Sequence, residues 1–413
     1  MIREVKIQNY KSIESLDLEL GRINVLIGEN GCGKTNILEA IALASAAYSD
    51  KLDNEFLVSR GIRVTQPQFM RSAFDKENVE KYVGVEIILN DFKKFPFALT
   101  HENKLYDQWE QINPQKVYGN GLKMLDKSNE RIKELDEIEK DIQKNKNDLQ
   151  NKIRNIVQFK NDILEQRILL EKSLNDLNEE YKDELNNFNR LSFFSEFLVF
   201  CPNNSSLRIF EQEGQIQPLG IHGEGLFKFL RFLDMKEDKT RFNEIKERLR
   251  LISWFKDFEI PKDLFENERR IHIFDRYLDP ELKYFDQRSS NEGFLFTLFY
   301  LALFVGEETP DFFAIDNIDN SLNPRLCRRL LQELVELAQK YDKQTILTTH
   351  NPAVLDGLDL DDDEQRLFVV YRNKFGYTKV RRVSKPKAIA GQKPVRLSEA
   401  FLRGYIGGLP KNF

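Results

Sequence analysis

The stretch INVLIGENGCGKTNILEA, residues 23–40, constrains this chain more than any other. Residues 23–27 form a short apolar run of the kind found in a strand buried on both faces. The next eight residues, Gly28-Glu29-Asn30-Gly31-Cys32-Gly33-Lys34-Thr35, fit G-x-x-x-x-G-K-[ST] at every fixed position, and a helix follows from about Lys34 to Tyr48. Glycines at 28, 31 and 33 let backbone N–H groups turn inward on a phosphate, and the positive end of the helix adds to that field. Asn30, Gly31, Cys32, Gly33, Lys34, Thr35 and Asn36 are therefore expected to bind ATP. Lys34 would reach the β- and γ-phosphates, and the Thr35 hydroxyl would ligate Mg2+.

Such a loop needs a second strand that ends in a carboxylate to hold the metal. PDFFAIDN, residues 310–317, supplies one, with Asp316 at its end. The following β-branched run, QTILTT (344–349), leads to His350, where a side chain can contact the γ-phosphate or the attacking water. Two strands joined at Asn9-Tyr10-Lys11-Ser12 are expected within 2–20, and others at 81–89, Phe197–Phe200 and Ile271–Phe274. Residues 226–257 read as helical, and 366–383 as a hairpin around Lys374-Phe375-Gly376. The pattern is α/β.

From Leu122 to Cys201 the chain has no Gly and no Pro, and charged and amide residues dominate. Leu135, Ile142, Leu149, Ile156, Ile163, Leu170 and Leu177 recur every seven residues, with a ragged second stripe, which argues for coiled-coil helices. A straight helix of about sixty residues would span roughly 100 Å. An antiparallel hairpin turning at 144–148 or 158–162 lets the chain return to finish its sheet; a pair of ordinary core helices is the alternative.

The 413 residues carry 62 Lys plus Arg against 67 Asp plus Glu, a net charge of −5, so no global field draws nucleic acid or acidic lipid. Three well-separated cysteines (Cys32, Cys201, Cys327) suit a reducing compartment and form neither a disulfide framework nor a metal set. With no apolar leader and no run of about 18 apolar residues, the expected location is the cytoplasm, away from membranes.

The order of GENGCGKTNILEAI, SSNEGFLFTLFYLALF (289–304), FFAIDNIDNSLNP (312–324) and TILTTHNPAVLD (345–356) resembles the ABC-type ATPase heads of the SMC and RecF families. It is most similar to the ATPase half of the overcoming-lysogenisation-defect (OLD) group and its stand-alone relatives. The resemblance covers roughly 1–100 and 195–370. It implies an α/β P-loop fold of ABC/SMC-head type with a coiled-coil, helical-hairpin insertion. The corresponding division is head 1–120, insertion 121–192, head 193–370, and a basic hairpin and tail 371–413. In that family two heads sandwich two nucleotides. Ser290, Asn291, Glu292 and Gly293 stand at the signature place, with Asn291 where a serine is usual, and Asn320–Pro324 matches the loop that crosses the dimer. Asn9 and Lys11 are weaker candidates for contact with the base, and Gln66 and Gln68 for the Q-loop glutamine.

The usual Asp-Glu pair is here Asp316-Asn317, and Asn cannot accept a proton. Either hydrolysis is slow and ATP acts as a clamp, or Asp319 takes the base role. OLD proteins carry a Toprim nuclease domain after the ATPase, whereas Asp359–Glu364 reads as a solvated loop, so a separately encoded effector (nuclease or toxin) is expected, as in stand-alone relatives of anti-phage systems. The alternatives are a RecF-like repair ATPase that binds DNA directly and a scaffold that does not hydrolyse ATP. Arg372, Lys374, Lys379, Arg381, Arg382, Lys385, Lys387, Lys393 and Arg396 would serve phosphate contacts, or are ordinary surface charge.

Overall fold

The computed structural model describes residues 1–104, 107–112, 158, 161–169, 172, 189–262, 265, 268–385 and 395–409. The chain divides into two compact units, Met1–Gln111 with Phe193–Phe413, and Ile112–Ser192. In the second unit residues 161–169 are helical, with Ile163 half-buried and Ile168 and Leu169 exposed. Gln158, Asn161 and Asp162 are helical rather than part of a turn. The other heptad positions and the turn at 144–148 lie outside the described residues.

The first unit is built on two sheets. Strands β1 (Ile2–Tyr10) and β2 (Ile13–Glu19) form a hairpin, and β3 (Ile23–Ile27) follows. Strands β4 (Val83–Leu89), β5 (Lys94–Thr100) and β6 (Glu110–Gln111) extend the hairpin into an antiparallel sheet ordered β2-β1-β4-β5-β6. The second sheet gathers β3, β7 (Val199–Phe200), β10 (Phe312–Ile315), β11 (Gln344–Thr349), β12 (Gln365–Arg372) and β13 (Thr378–Val383) in the order β13-β12-β3-β11-β10-β7. All of these run parallel except β13, which pairs antiparallel with β12 at the edge. Every residue of β3, β10 and β11 is buried, as expected of central parallel strands covered on both faces.

Helix α1 (Lys34–Tyr48) lies between the sheets and packs on β1, β4 and β5 on one side and on β7 and β11 on the other. Its alanines at 40, 42, 44, 46 and 47 put small side chains on all faces, so both sheets approach closely. Short helices α2 (Asn54–Ser59) and α3 (Pro67–Met70) lead back to β4. Beyond β7 come α4 (Asn204–Ile209), α5 (Leu226–Met235) and α6 (Thr240–Arg248), then a two-stranded sheet of β8 (Phe255–Glu259) and β9 (His272–Asp275). The expected helical stretch 226–257 is thus broken: Lys236 is extended, and Phe255 and Phe258 point into the core from a strand. Helix α7 (Glu292–Val305) is buried from Phe294 to Val305, each large apolar side chain contributing about 1.5–3 kcal/mol relative to exposure. Helices α8 (Pro324–Lys340), α9 (Pro352–Leu355) and α10 (Leu397–Leu402) complete the unit. Of the apolar face read in the C-terminal stretch, Phe401 is buried on the unit's own core and Leu397 packs against it, while Leu402 and Tyr405 are exposed.

The register aligns Ile27 with Thr349, and Leu347 with Ile315. The residues that follow these three strands therefore emerge at one edge of the sheet, outside the carboxyl ends of parallel strands, where such folds place ligands.

Candidate functional site

At that edge the phosphate loop takes its expected form. Gly31 and Gly33 have φ of 75° and 107°, a left-handed backbone that side chains rarely tolerate. Lys34 folds back, donating to the carbonyls of Gly28 (2.8 Å) and Glu29 (3.1 Å). Burial lowers its pKa, opposed by Cys32, Asp316 and Asp319. The Thr35 hydroxyl donates to Asp316 Oδ2 at 2.9 Å, and Thr348 donates to Asp316 Oδ1 at 2.5 Å. The Thr35–Asp316 pair is an all-oxygen donor set of the kind hard divalent cations take. Cys32 is buried, and burial raises its thiol pKa.

Asn317 follows with φ 58°, its N–H donating to Thr348 Oγ1 at 2.8 Å. Asn is among the residues that best tolerate this left-handed conformation, so the position has a backbone reason for Asn besides any chemical one. Asp319 Oδ1 accepts from the Thr349 hydroxyl (2.7 Å) and the His350 N–H (3.3 Å), which ties the loop after β10 to the end of β11. Burial and then the Lys34 ammonium hold the exposed-edged His350 imidazole below its ordinary range, against Asp319 and Asp316. Lys34, Thr35, Asp316, Asn317, Asp319 and His350 thus form one cluster.

The signature residues form another. No hydrogen bond joins Ser290–Gly293 to the loop among the described residues. Asn291 caps α7, its side chain accepting from Phe294 N–H at 2.9 Å. Glu292 is held by Asn204 (2.8 Å) and Ser321 (2.7 Å), and a Cβ at Gly293 would meet the Ser321 carbonyl at 3.2 Å. Ser290 Oγ is buried without a partner. Signature and crossing loop therefore hold each other, beside a cleft of about 430 Å³ lined by Trp254, Asn291, Gly293, Arg325 and Arg329.

Two groups of candidates have local partners. Asn9 spends its amide nitrogen on the carbonyls of Asn78, Lys81 and Tyr82 and accepts at its oxygen from Ser72 N–H, so it is buried and fastens β1 to the loop before β4, with no N–H left for a base. In the basic C-terminal stretch Arg382 pairs with Asp363, Lys385 with Asp361 and Lys379 with Glu14, and Arg381 bonds the Ile406 carbonyl, so part of its charge is locally compensated. The acidic loop 359–364 is thus partly paired, and Lys387 and Lys393 lie outside the described residues. Gln66 and Gln68 are exposed and bond to each other at 3.0 Å, with no bond to the phosphate loop.

Lys11 reaches the fully buried Glu39, which also holds Arg63. Lys11, Asn36, Arg63, Phe69, Phe74 and Arg372 line a cleft of about 440 Å³ beside the loop. Arg372 lies over the Phe74 ring and donates to the Gly31 carbonyl at 2.8 Å. Arg63 and Phe74 carry no motif in the sequence, although the run RGIRVTQPQFMRSAF (60–74) does interleave basic and aromatic residues, and Arg372 is expected from the sequence only as a general phosphate contact.

Residues 23–356 match the AAA_21 family model, described as "AAA domain, putative AbiEii toxin, Type IV TA system". The chain is 42% identical over 55 residues to the DNA replication and repair protein RecF of Bacillus thuringiensis (strain Al Hakam), and equally to that of Bacillus cereus (strain B4264). That match spans 13% of this chain and only 15% of each relative. Among solved structures, an SmcHead bound to the C-winged helix domain of ScpA is similar over 93% of this chain and 98% of its own, with a TM-score of 0.52 at 13% identity, a likeness of fold. Among the described residues no helix is long and apolar enough to cross a membrane. The chain belongs to the AAA_21 family, and its fold is that of a P-loop ATPase head of the ABC/SMC type.

Proposed function

We propose that the chain is an ATP-binding switch of low hydrolytic rate, in which two heads close on nucleotide and thereby control a separately encoded effector, in bacterial anti-phage defence. The observation that carries it is the Lys34–Thr35–Asp316 cluster followed by Asn317. Asn30–Asn36 would cradle the phosphates. Thr35 and Asp316 would hold Mg2+, which when bound would neutralise charge on the β- and γ-phosphates. The cleft of Lys11, Arg63 and Phe74 suits the nucleoside, an aromatic and two cations facing a base and its ribose. Ser290–Gly293 would meet the second head's nucleotide, Asn291 offering its amide nitrogen while its oxygen caps α7. The division into head, inserted helical hairpin and C-terminal element belongs to the same proposal.

Slow turnover rests on two features. Asn317 takes up no proton, and Asp319 already accepts from Thr349 and His350 on one oxygen. The defence setting is supported by the family description, which names a putative toxin and a toxin–antitoxin system. A RecF-like grip on DNA draws on the short RecF match, but the pairing of Arg366, Arg382 and Lys385 with acidic residues works against it. ATP hydrolysis and molecular mass, measured together on wild type, Lys34→Ala, Asn317→Glu and Asp319→Ala, test the proposal. An ATP-dependent rise in mass with negligible turnover supports the clamp. Brisk turnover lost in Asp319→Ala would make Asp319 the base and overturn it.

A further inference from the structure

Three residues of the C-terminal hairpin β12–β13, Val370, Arg372 and Thr378, lie against the phosphate loop. A Cβ on Gly28 would meet the Val370 carbonyl at 2.1 Å, and one on Gly33 would meet Thr378 Oγ1 at 2.1 Å, so the hairpin lies as close to the loop as only glycine permits. Arg372 Nε donates to the Gly31 carbonyl, and Thr378 Oγ1 to the Cys32 carbonyl, each at 2.8 Å. Thr378 is fully buried and some 346 residues from its partner in sequence.

The hydrogen bonds behind Thr378 have a single direction. Because the Thr378 proton goes to Cys32, Thr378 must accept from Ser12 Oγ at 2.7 Å. Ser12, its proton so used, accepts from Asn36 Nδ2 at 2.7 Å. Asn36 Oδ1 accepts from Arg63 at 3.1 Å, and Arg63 is anchored on the buried Glu39 at 2.6 Å. A trans peptide is planar, so its carbonyl and the next residue's N–H point opposite ways. Holding the carbonyls of Gly31 and Cys32 outward therefore fixes the N–H groups of Cys32 and Gly33 on the opposite side; that of Cys32 meets the Glu29 carbonyl at 3.4 Å, and that of Gly33 faces where a phosphate would be received.

We infer that Thr378 and Arg372 are positioning residues for nucleotide binding, and that occupancy of the phosphate loop and the seating of the C-terminal hairpin are coupled through them. The inference rests on the proposed ATP site. Each side chain acts by setting the plane of a loop peptide. By linkage, what strengthens the hairpin's hold on the loop strengthens nucleotide binding, and nucleotide in turn steadies the hairpin.

The test is equilibrium binding of Mg·ATP to the full chain, with thermal unfolding alongside, for wild type, Lys34→Ala, Thr378→Val, Thr378→Ser and Arg372→Gln. Binding by wild type that Lys34→Ala removes establishes the underlying site, and no binding by wild type sinks site and inference together. Given binding, Thr378→Val is expected to weaken it roughly tenfold, as one buried carbonyl loses its donor, and Thr378→Ser to restore most of the loss. Arg372→Gln should weaken it less. Amide hydrogen exchange supplies a readout that a purely structural role would leave alone: ATP should slow exchange in 365–383 in wild type and in Thr378→Ser, but not in Thr378→Val. Wild-type affinity in a folded Thr378→Val, or hairpin exchange indifferent to ATP in wild type, overturns the inference.

Discussion

The phosphate-loop side and the signature side of this head differ in how far their polar groups are already satisfied. On the loop side Lys34, Thr35, Asp316, Thr348, Asp319 and Thr349 are engaged with one another or with backbone. On the signature side Asn291 and Glu292 serve the local fold, while the Ser290 hydroxyl is buried with no partner. An unsatisfied buried polar group costs about 1–3 kcal/mol, a cost the signature side carries at Ser290. One side has its polar groups paired; the other does not.

The contrast is open to attack from either side. The largest effect is expected for Lys34→Ala, which should weaken Mg·ATP binding by about 100-fold or more, as removal of one partner of a desolvated charge pair costs about 2–5 kcal/mol. Calorimetric binding at near wild-type strength would mean the loop side is not the grip. Next comes Asn317, where the left-handed backbone lets Asn317→Gly keep or raise the melting temperature, while Asn317→Glu should lose about 1 kcal/mol. Equal stability of the two in denaturant titrations would remove the backbone account of this residue. Asn291→Ala should cost about 1 kcal/mol through the lost cap of α7. It should also reduce ATP-dependent association in mass measurements while leaving single-head binding intact. Should both fall together, the two sides are not separable.

The smallest effect concerns pH. Because the folded pKa of His350 lies below its unfolded value, the unfolded chain binds more protons as pH falls through the ordinary histidine range, and stability declines there. His350→Gln should flatten that part of a melting-temperature profile. Bound ATP, which brings negative charge near Lys34 and His350, should raise the imidazole pKa, and NMR titration with and without nucleotide measures it.

Local chemistry made much of this legible. The strand–glycine loop–helix of 23–48, the carboxylate after 312–315 and the histidine after 344–349 are each written within a few residues, because the backbone geometry they serve is itself local. The break of 226–257 into two helices and a strand was not legible, since Phe255 and Phe258 suit a buried helix as well as a strand and tertiary packing decides between them. The structural role of Asn9 is hidden for a similar reason: its partners at 72, 78, 81 and 82 arrive from another segment. The roles of Arg372 and Thr378 were invisible because nothing around them marks a contact with residues 31–33.

The position of β3 in the second sheet has a consequence for how the protein comes into being. Its neighbours are β11 and β12, more than 300 residues later in the chain. At the pace of translation, on the order of 5–20 residues per second, the emerging strand waits tens of seconds for them, with the glycine loop unsupported and five largely apolar residues in need of shelter. A chain released before residue 378 would lack the Thr378 bond to the Cys32 carbonyl, and one released before 372 would also lack the Arg372 bond to the Gly31 carbonyl, so the loop's outer supports are among the last parts of the head to be made.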